Sequence, residues 1–135
     1  MMTVSEIARH TGVTPEVIRY YTRLGLITPR RGSNGYRFYN NRDIRYLEFI
    51  SQAKLLGFTL KEIGAILKDA ETGNSPCSKV RATLEQHLKE TREKVSELLQ
   101  LQGRMEDALK KWDTIADAVP EGDLICVLIE STGLD

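Results

Sequence analysis

Arginine and tyrosine side chains gather in two neighbouring stretches near the N-terminus. Val13-Thr14-Pro15-Glu16-Val17-Ile18-Arg19-Tyr20-Tyr21 runs into Arg23-Leu24-Gly25-Leu26-Ile27, and Arg30-Arg31-Gly32-Ser33-Asn34-Gly35-Tyr36-Arg37-Phe38-Tyr39 follows. Guanidinium groups pair with phosphates, phenol rings add hydrogen bonds, and Glu16 is the lone acid in the run. Such a surface suits the backbone of a nucleic acid. Cys77 and Cys126 offer a second chemistry. Two cysteines do not make a disulfide framework. In a reducing compartment they read as free thiols or metal ligands, or as small apolar packing residues. No Gly-rich phosphate loop or catalytic triad is present, so an enzyme is not expected.

Short helices must position the arginines. Thr3 and Glu6 make a capping box for a first helix that stops at Gly12. Thr14 caps a second helix, with Pro15 in its first turn, where a missing N–H costs nothing. Val17, Ile18, Tyr21 and Leu24 form its apolar face, and Gly25 ends it. Two helices joined by Thr11-Gly12-Val13 give a helix-turn-helix signature. Residues 28–39 read as a two-stranded wing around Ser33-Asn34-Gly35, where Asn and Gly tolerate positive φ. Asn40 or Asn41 starts a third helix to about Leu56, and Thr59 and Glu62 cap a fourth to about Ala70.

On this surface Arg19 and Tyr20 lie on the polar side of the second helix. Thr14, Pro15 and Glu16 lie at its N-terminus, where a recognition helix meets base edges. Arg23 is expected lower, on phosphate, and Arg30, Arg31, Tyr36, Arg37 and Tyr39 are expected to grip the flanking backbone, the alternative being that Tyr20, Tyr36 and Tyr39 are core aromatics. Tyr21 and Phe38 read as core, and His10 and His87 as helix-surface residues.

A polar hinge, residues 71–75, precedes a long helix opened by Ser75-Pro76. Leu84, Thr91, Leu98, Met105 and Trp112 fall seven apart, as do Leu88, Val95, Gln102, Leu109 and Ala116. A heptad seam of this kind needs a partner helix. About forty residues make a rod of roughly 60 Å, which a head of about 70 residues cannot cover, so a homodimer is expected. Leu84, Leu88, Val95, Leu98, Met105, Leu109 and Trp112 are its interface candidates. Asp123 is expected to cap a last apolar helix beginning at Leu124, packed back on the rods near the partner's hinge.

The formal net charge of zero hides a basic, aromatic head and an acidic tail. Residues 1–60 hold nine Lys/Arg against four Asp/Glu and eight of the nine aromatics, and residues 61–135 hold ten against fifteen. The head suits a polyanion and the tail does not. No apolar run approaches the ~20 residues of a membrane span, and no export leader is seen. A cytoplasmic protein with no membrane partner is expected.

The chain resembles the MerR-type transcriptional regulators. The matching residues are Val4-Ser5-Glu6-Ile7-Ala8 with Gly12-Val13, Ile18-Arg19-Tyr20-Tyr21, Gly25-Leu26-Ile27, Gly35-Tyr36-Arg37-Phe38-Tyr39 and Leu56-Gly57-Phe58-Thr59-Leu60-Lys61-Glu62-Ile63. The resemblance covers about residues 1–112 and part of the tail. It implies a mainly α fold: a winged helix-turn-helix DNA-binding head (1–72), a long dimerisation helix (73–118) pairing as an antiparallel coiled coil, and a C-terminal loop and short helix (119–135). It also implies that the dimer binds a palindromic operator between promoter elements set too far apart for RNA polymerase. An effector then makes the protein bend and untwist the spacer, with binding energy spent on deforming DNA.

In the family's metal sensors one Cys opens the dimer helix and two bracket the following loop, so that metal sits between one chain's helix and the other's loop. Cys77 matches the first position and Cys126 the last, and the middle place falls near Trp112-Asp113, without a thiol. Two thiolates suit a soft ion of low coordination number. The candidates are Zn(II), Cd(II), Hg(II), Pb(II), Cu(I) and Au(I), with His87, Asp113, Asp117 or Asp123 as candidate third ligands. The alternatives are an organic or electrophilic effector sensed near Trp112 or by Cys77, or, in another class, a helical interaction module whose basic head binds an acidic protein.

Overall fold

The computed structural model describes residues 2–133. Six helices and one two-stranded hairpin follow in order: α1 (Val4–Thr11), α2 (Pro15–Arg23), β1 (Arg30–Arg31), β2 (Arg37–Phe38), α3 (Asn41–Leu55), α4 (Leu60–Glu71), α5 (Cys77–Trp112) and α6 (Val127–Ser131). The chain divides into two compact units, one reaching His87 and one beginning at Leu88. The first unit therefore takes in the opening turns of α5 as well as the head expected from the sequence.

Local chemistry sets the head helices. Thr3 and Glu6 exchange the two bonds of a capping box, and α1 ends on Gly12 at φ 77°, a left-handed conformation that costs glycine little. The Thr14 hydroxyl accepts from the Val17 N–H at 3.3 Å. Asn40 and Asp43 form a further capping box at α3, with Asn40 N–H donating to Asp43 Oδ2 at 2.9 Å. Burial pushes the Asp43 carboxyl up, against the Asn40 N–H that draws it down. Thr59 and Glu62 form the same kind of capping box at α4.

The apolar faces of these helices meet in one core that includes Ile7, Ile18, Tyr21, Ile27, Ile44, Leu47, Ile50, Phe58, Ile63 and Leu67. Val80 and Leu84 of α5 pack against it. Leu84, expected on the dimer seam, is thus half-buried on its own head. Leu24, expected on the inner face of α2, is instead exposed. It is the capping residue, after the last helical position, where the 3.6-residue period no longer dictates direction.

The second unit is built differently. No residue of α5 is buried. The helix ends at Trp112 rather than running on through Ala116. Ile115 N–H bonds back to the Trp112 carbonyl at 3.0 Å, and the Thr114 hydroxyl donates to the Lys111 carbonyl at 3.0 Å. Such three-residue closures tighten and terminate a helix. The last helix starts at Val127, not near Asp123, and Cys126 precedes it without a side-chain cap. Its Glu130 carboxylate reaches back and accepts from the N–H groups of Ile125 (3.0 Å) and Cys126 (2.7 Å). The cap comes from inside the helix.

Candidate nucleic-acid interface and thiol positions

On α2, Ile18 and Tyr21 face the core while Thr14, Glu16, Arg19, Tyr20 and Arg23 are exposed and Pro15 is half-exposed. The helical period places buried and free residues on opposite sides. The Arg23 guanidinium lies 5.7 Å from the centre of the Tyr20 ring, within cation–π range. One element thus offers cations and a phenol ring, 44% exposed at Tyr20, beside a helix N-terminus.

The wing adds to this surface. β1 and β2 pair antiparallel with Arg30 opposite Phe38 and Arg31 opposite Arg37. Gly35 N–H closes the turn on the Gly32 carbonyl at 3.0 Å. Gly35 takes the left-handed conformation at φ 82°, and Asn34 does not. Asn34 instead accepts from the Tyr36 N–H through Oδ1 at 3.2 Å. A Cβ on Gly32 would meet the Phe38 ring at 2.6 Å, so a larger residue there would displace that ring. Arg30, Arg31 and Tyr36 are exposed, Tyr36 to 69%, and Arg37 is half-exposed.

Tyr39 departs from this pattern. It was expected to grip backbone, but it is fully buried, so its ring belongs to the core. Its hydroxyl lies 3.2 Å from Thr22 Oγ1 on α2, and its backbone pairs with Met2 through bonds of 2.6 and 2.7 Å.

Sequence reading also missed a tie across the head. His87 Nε2 lies 2.8 Å from Glu62 Oε1, and its ring meets Phe58 edge-on at 6.1 Å. The same Glu62 oxygen accepts from the Thr59 N–H at 2.8 Å. Together these hold the Glu62 carboxyl below the usual carboxylate range, the Thr59 N–H first and His87 next. His87 is therefore a link between α4 and α5 and not an ordinary surface residue. A second cluster joins Arg42, Tyr46 and Glu71, with Tyr46 O–H donating to Glu71 at 2.9 Å and Arg42 donating to Tyr46 at 2.8 Å. The Glu62–His87 and Tyr46–Glu71 pairings, each 25 residues apart, leave no local signal.

The thiols lie in separate units. Cys77 is exposed and Cys126 half-buried, both free. Cys77 lines an apolar cleft of about 420 Å³ with Phe49, Leu56, Phe58 and Val80. Among the described residues of one chain, no three His, Cys, Asp or Glu side chains gather to hold a metal ion. His87, Asp113, Asp117 and Asp123 therefore complete no such group within a chain.

Trp112 borders a cleft of about 690 Å³ with Met105, Ala108, Leu109, Ile129 and Thr132. Its buried Nε1 has no hydrogen-bond partner among the described residues. The Lys111 ammonium donates to the Ser131 carbonyl, which ties α6 to the end of α5 in the same chain. Leu88, Val95, Leu98, Met105 and Leu109 are all exposed. Leu99, four positions after Val95, widens that stripe and was missed by the heptad reading.

The profile of the MerR HTH family regulatory proteins matches residues 2–70, and a second, MerR DNA-binding, matches residues 44–108. The chain belongs to the MerR family. An HTH-type transcriptional regulator of Synechocystis is 35% identical over 134 residues, covering 98% of this chain and 88% of that protein. A transcription regulator from Ralstonia metallidurans, solved in complex with lead(II), shares the fold at TM-score 0.78 and 23% identity, over 98% of this chain and all of that one. The MerR regulator from Bacillus megaterium, solved in complex with mercury(II), is 26% identical with TM-score 0.63, over 97% of this chain and 98% of that one. This MerR-family member is a DNA-binding transcriptional regulator and not an enzyme. Among the described residues no helix is long and apolar enough to cross a membrane.

Proposed function

We propose that this MerR-family regulator is a homodimer that binds a palindromic promoter site and reshapes the spacer when an effector binds, so that RNA polymerase can read both promoter elements. The exposed stripe on α5, with Leu98 64% exposed at its middle, carries the dimer reading. A solvent-facing row of leucine and methionine at heptad spacing is what a second helix covers. Two heads on one rod pair then present two copies of α2, matching a two-fold site.

A thiophilic ion is the effector reading best supported. Cys77 is free and exposed at the start of α5, and Cys126 sits at the start of α6. The Glu130 carboxylate accepts from the Cys126 N–H, which fixes the backbone that carries this thiol. The mercury(II) complex of the Bacillus megaterium regulator supports the same reading. One chain's Cys77 and the other's Cys126 would supply two sulfur ligands, which suit soft ions. The apolar cleft at Trp112 favours the second reading, an organic effector held there.

The test is native mass spectrometry of the reduced protein with Zn(II), Cd(II), Hg(II), Pb(II), Cu(I) and Au(I) offered in turn. Stoichiometric binding by the wild type, lost in both Cys77→Ser and Cys126→Ser, is expected. Binding indifferent to both substitutions, or none, would overturn the metal reading in favour of an organic effector.

A further inference from the structure

Tyr39 stands where three segments meet. It follows β2 directly, so it carries the second leg of the wing. Its backbone pairs in both directions with Met2, and the next residue, Asn40, caps α3. Its ring is fully buried, and its hydroxyl reaches the recognition helix at Thr22.

The direction of that bond follows from proton counting. A threonine hydroxyl has one proton. Thr22 donates it to the Ile18 carbonyl at 2.8 Å, so the Tyr39 O–H donates to Thr22 Oγ1. Removing Thr22 Oγ1 leaves the Tyr39 hydroxyl buried with no acceptor there, which disfavours its seat. Removing the Tyr39 hydroxyl takes away the side-chain bond between the wing's second leg and α2 while keeping the packed ring. The Ile18 carbonyl keeps its helical N–H in either case.

The two legs of the wing are held differently. On the first, Leu26 N–H bonds to the Tyr21 carbonyl at 3.0 Å, and Leu26 and Ile27 are buried. The second depends on Tyr39. Three wing arginines, Arg30, Arg31 and Arg37, are available to phosphates, and their distance from the base-reading end of α2 depends on how the second leg is seated.

We propose that Tyr39, acting through Thr22, is a positioning residue that sets the wing against the recognition helix and so determines whether both engage one DNA site. The proposal rests on the DNA-binding reading.

The experiment measures binding of the full-length protein to the DNA upstream of its own gene, as a function of salt, for wild type, Tyr39→Phe, Thr22→Val, Thr22→Ser and the Tyr39→Phe/Thr22→Val pair. Tyr39→Phe and Thr22→Val are expected to weaken binding about five- to tenfold and to make the salt slope shallower by about one unit. Thr22→Ser should match wild type, and the pair should be no worse than the worse single variant. A general loss of folded protein lowers the active fraction but leaves the salt slope unchanged. Unchanged slopes in both single variants, or additive losses in the pair, would overturn the proposal. Failure of the wild type itself to bind that DNA would instead defeat the DNA-binding reading.

Discussion

The head and the unit that follows it solve the problem of apolar surface in opposite ways. Every fully buried apolar side chain among the described residues lies between Ile7 and Leu67. From Leu88 onward none is fully buried, although Val95, Leu98, Leu99, Met105 and Leu109 are as apolar as the core. The head closes its core within one chain. The rod leaves a stripe exposed along a single chain, and the difference teaches where the proposed dimer would have to find its buried surface.

The strongest way to break that contrast is to charge the stripe. Val95→Asp with Leu98→Asp places four carboxylates at the seam of a symmetric dimer and removes about 1.5–3 kcal/mol of burial per side chain. Dimerisation should weaken by on the order of 10³-fold or more, read by sedimentation. The head should still melt cooperatively. Loss of folding in the head would erase the distinction between the two regions.

In that monomeric background the head can be examined alone. Ile63→Ala opens a cavity in a closed core and should cost about 2–5 kcal/mol. Leu55→Ala, at a residue 89% exposed, should stay within about 0.5 kcal/mol. Chemical denaturation followed by circular dichroism gives both values.

A smaller effect sharpens where the head ends. The Glu62 carboxyl is depressed by the Thr59 N–H and His87. A carboxyl lowered in the folded state stabilises the fold above its unfolded value of about 4.3, and that contribution is lost as pH falls through the folded value. Glu62→Gln keeps the capping shape but has no carboxylate to protonate. Wild type should be the more stable at pH 7 and lose that lead as pH falls below the unfolded value. Parallel pH profiles of melting temperature would mean that the Glu62 carboxylate, bonded to the Thr59 N–H and His87, adds nothing to the head's stability.

The smallest expected effect lies on the wing. Arg37→Ala should flatten the salt dependence of operator binding by about one unit of slope, one phosphate contact, with melting unchanged. A titration with unchanged slope would remove Arg37 from the interface.

Much of the head was legible because its signals are local. Thr3 with Glu6 and Thr59 with Glu62 announce helix starts within four residues, and Gly12 announces a stop. The exposed face of α2 follows from the placement of Ile18 and Tyr21. What failed depends on contacts that sequence spacing does not encode. Strand alternation does not say which face meets the head, so Tyr39 was placed on DNA when its ring is core. The end of α5 at Trp112 carries no Gly or Pro, so the heptad was extended to Ala116. Asp123 looked like a cap, but Glu130 supplies that function from within α6. Glu62 and His87 meet only once α4 and α5 are packed. At the thiols, Cys77 and Cys126 could be located but not joined, because the reading that joins them needs a second chain.

The most direct test of the central claim is the mass of the wild-type protein in solution by sedimentation equilibrium at low micromolar concentration. A stripe specified for a pair predicts a species of twice 15.3 kDa, reduced to 15.3 kDa by Val95→Asp with Leu98→Asp. A wild-type monomer at that concentration would contradict the account, because the rod would then hold its apolar face in water without a partner.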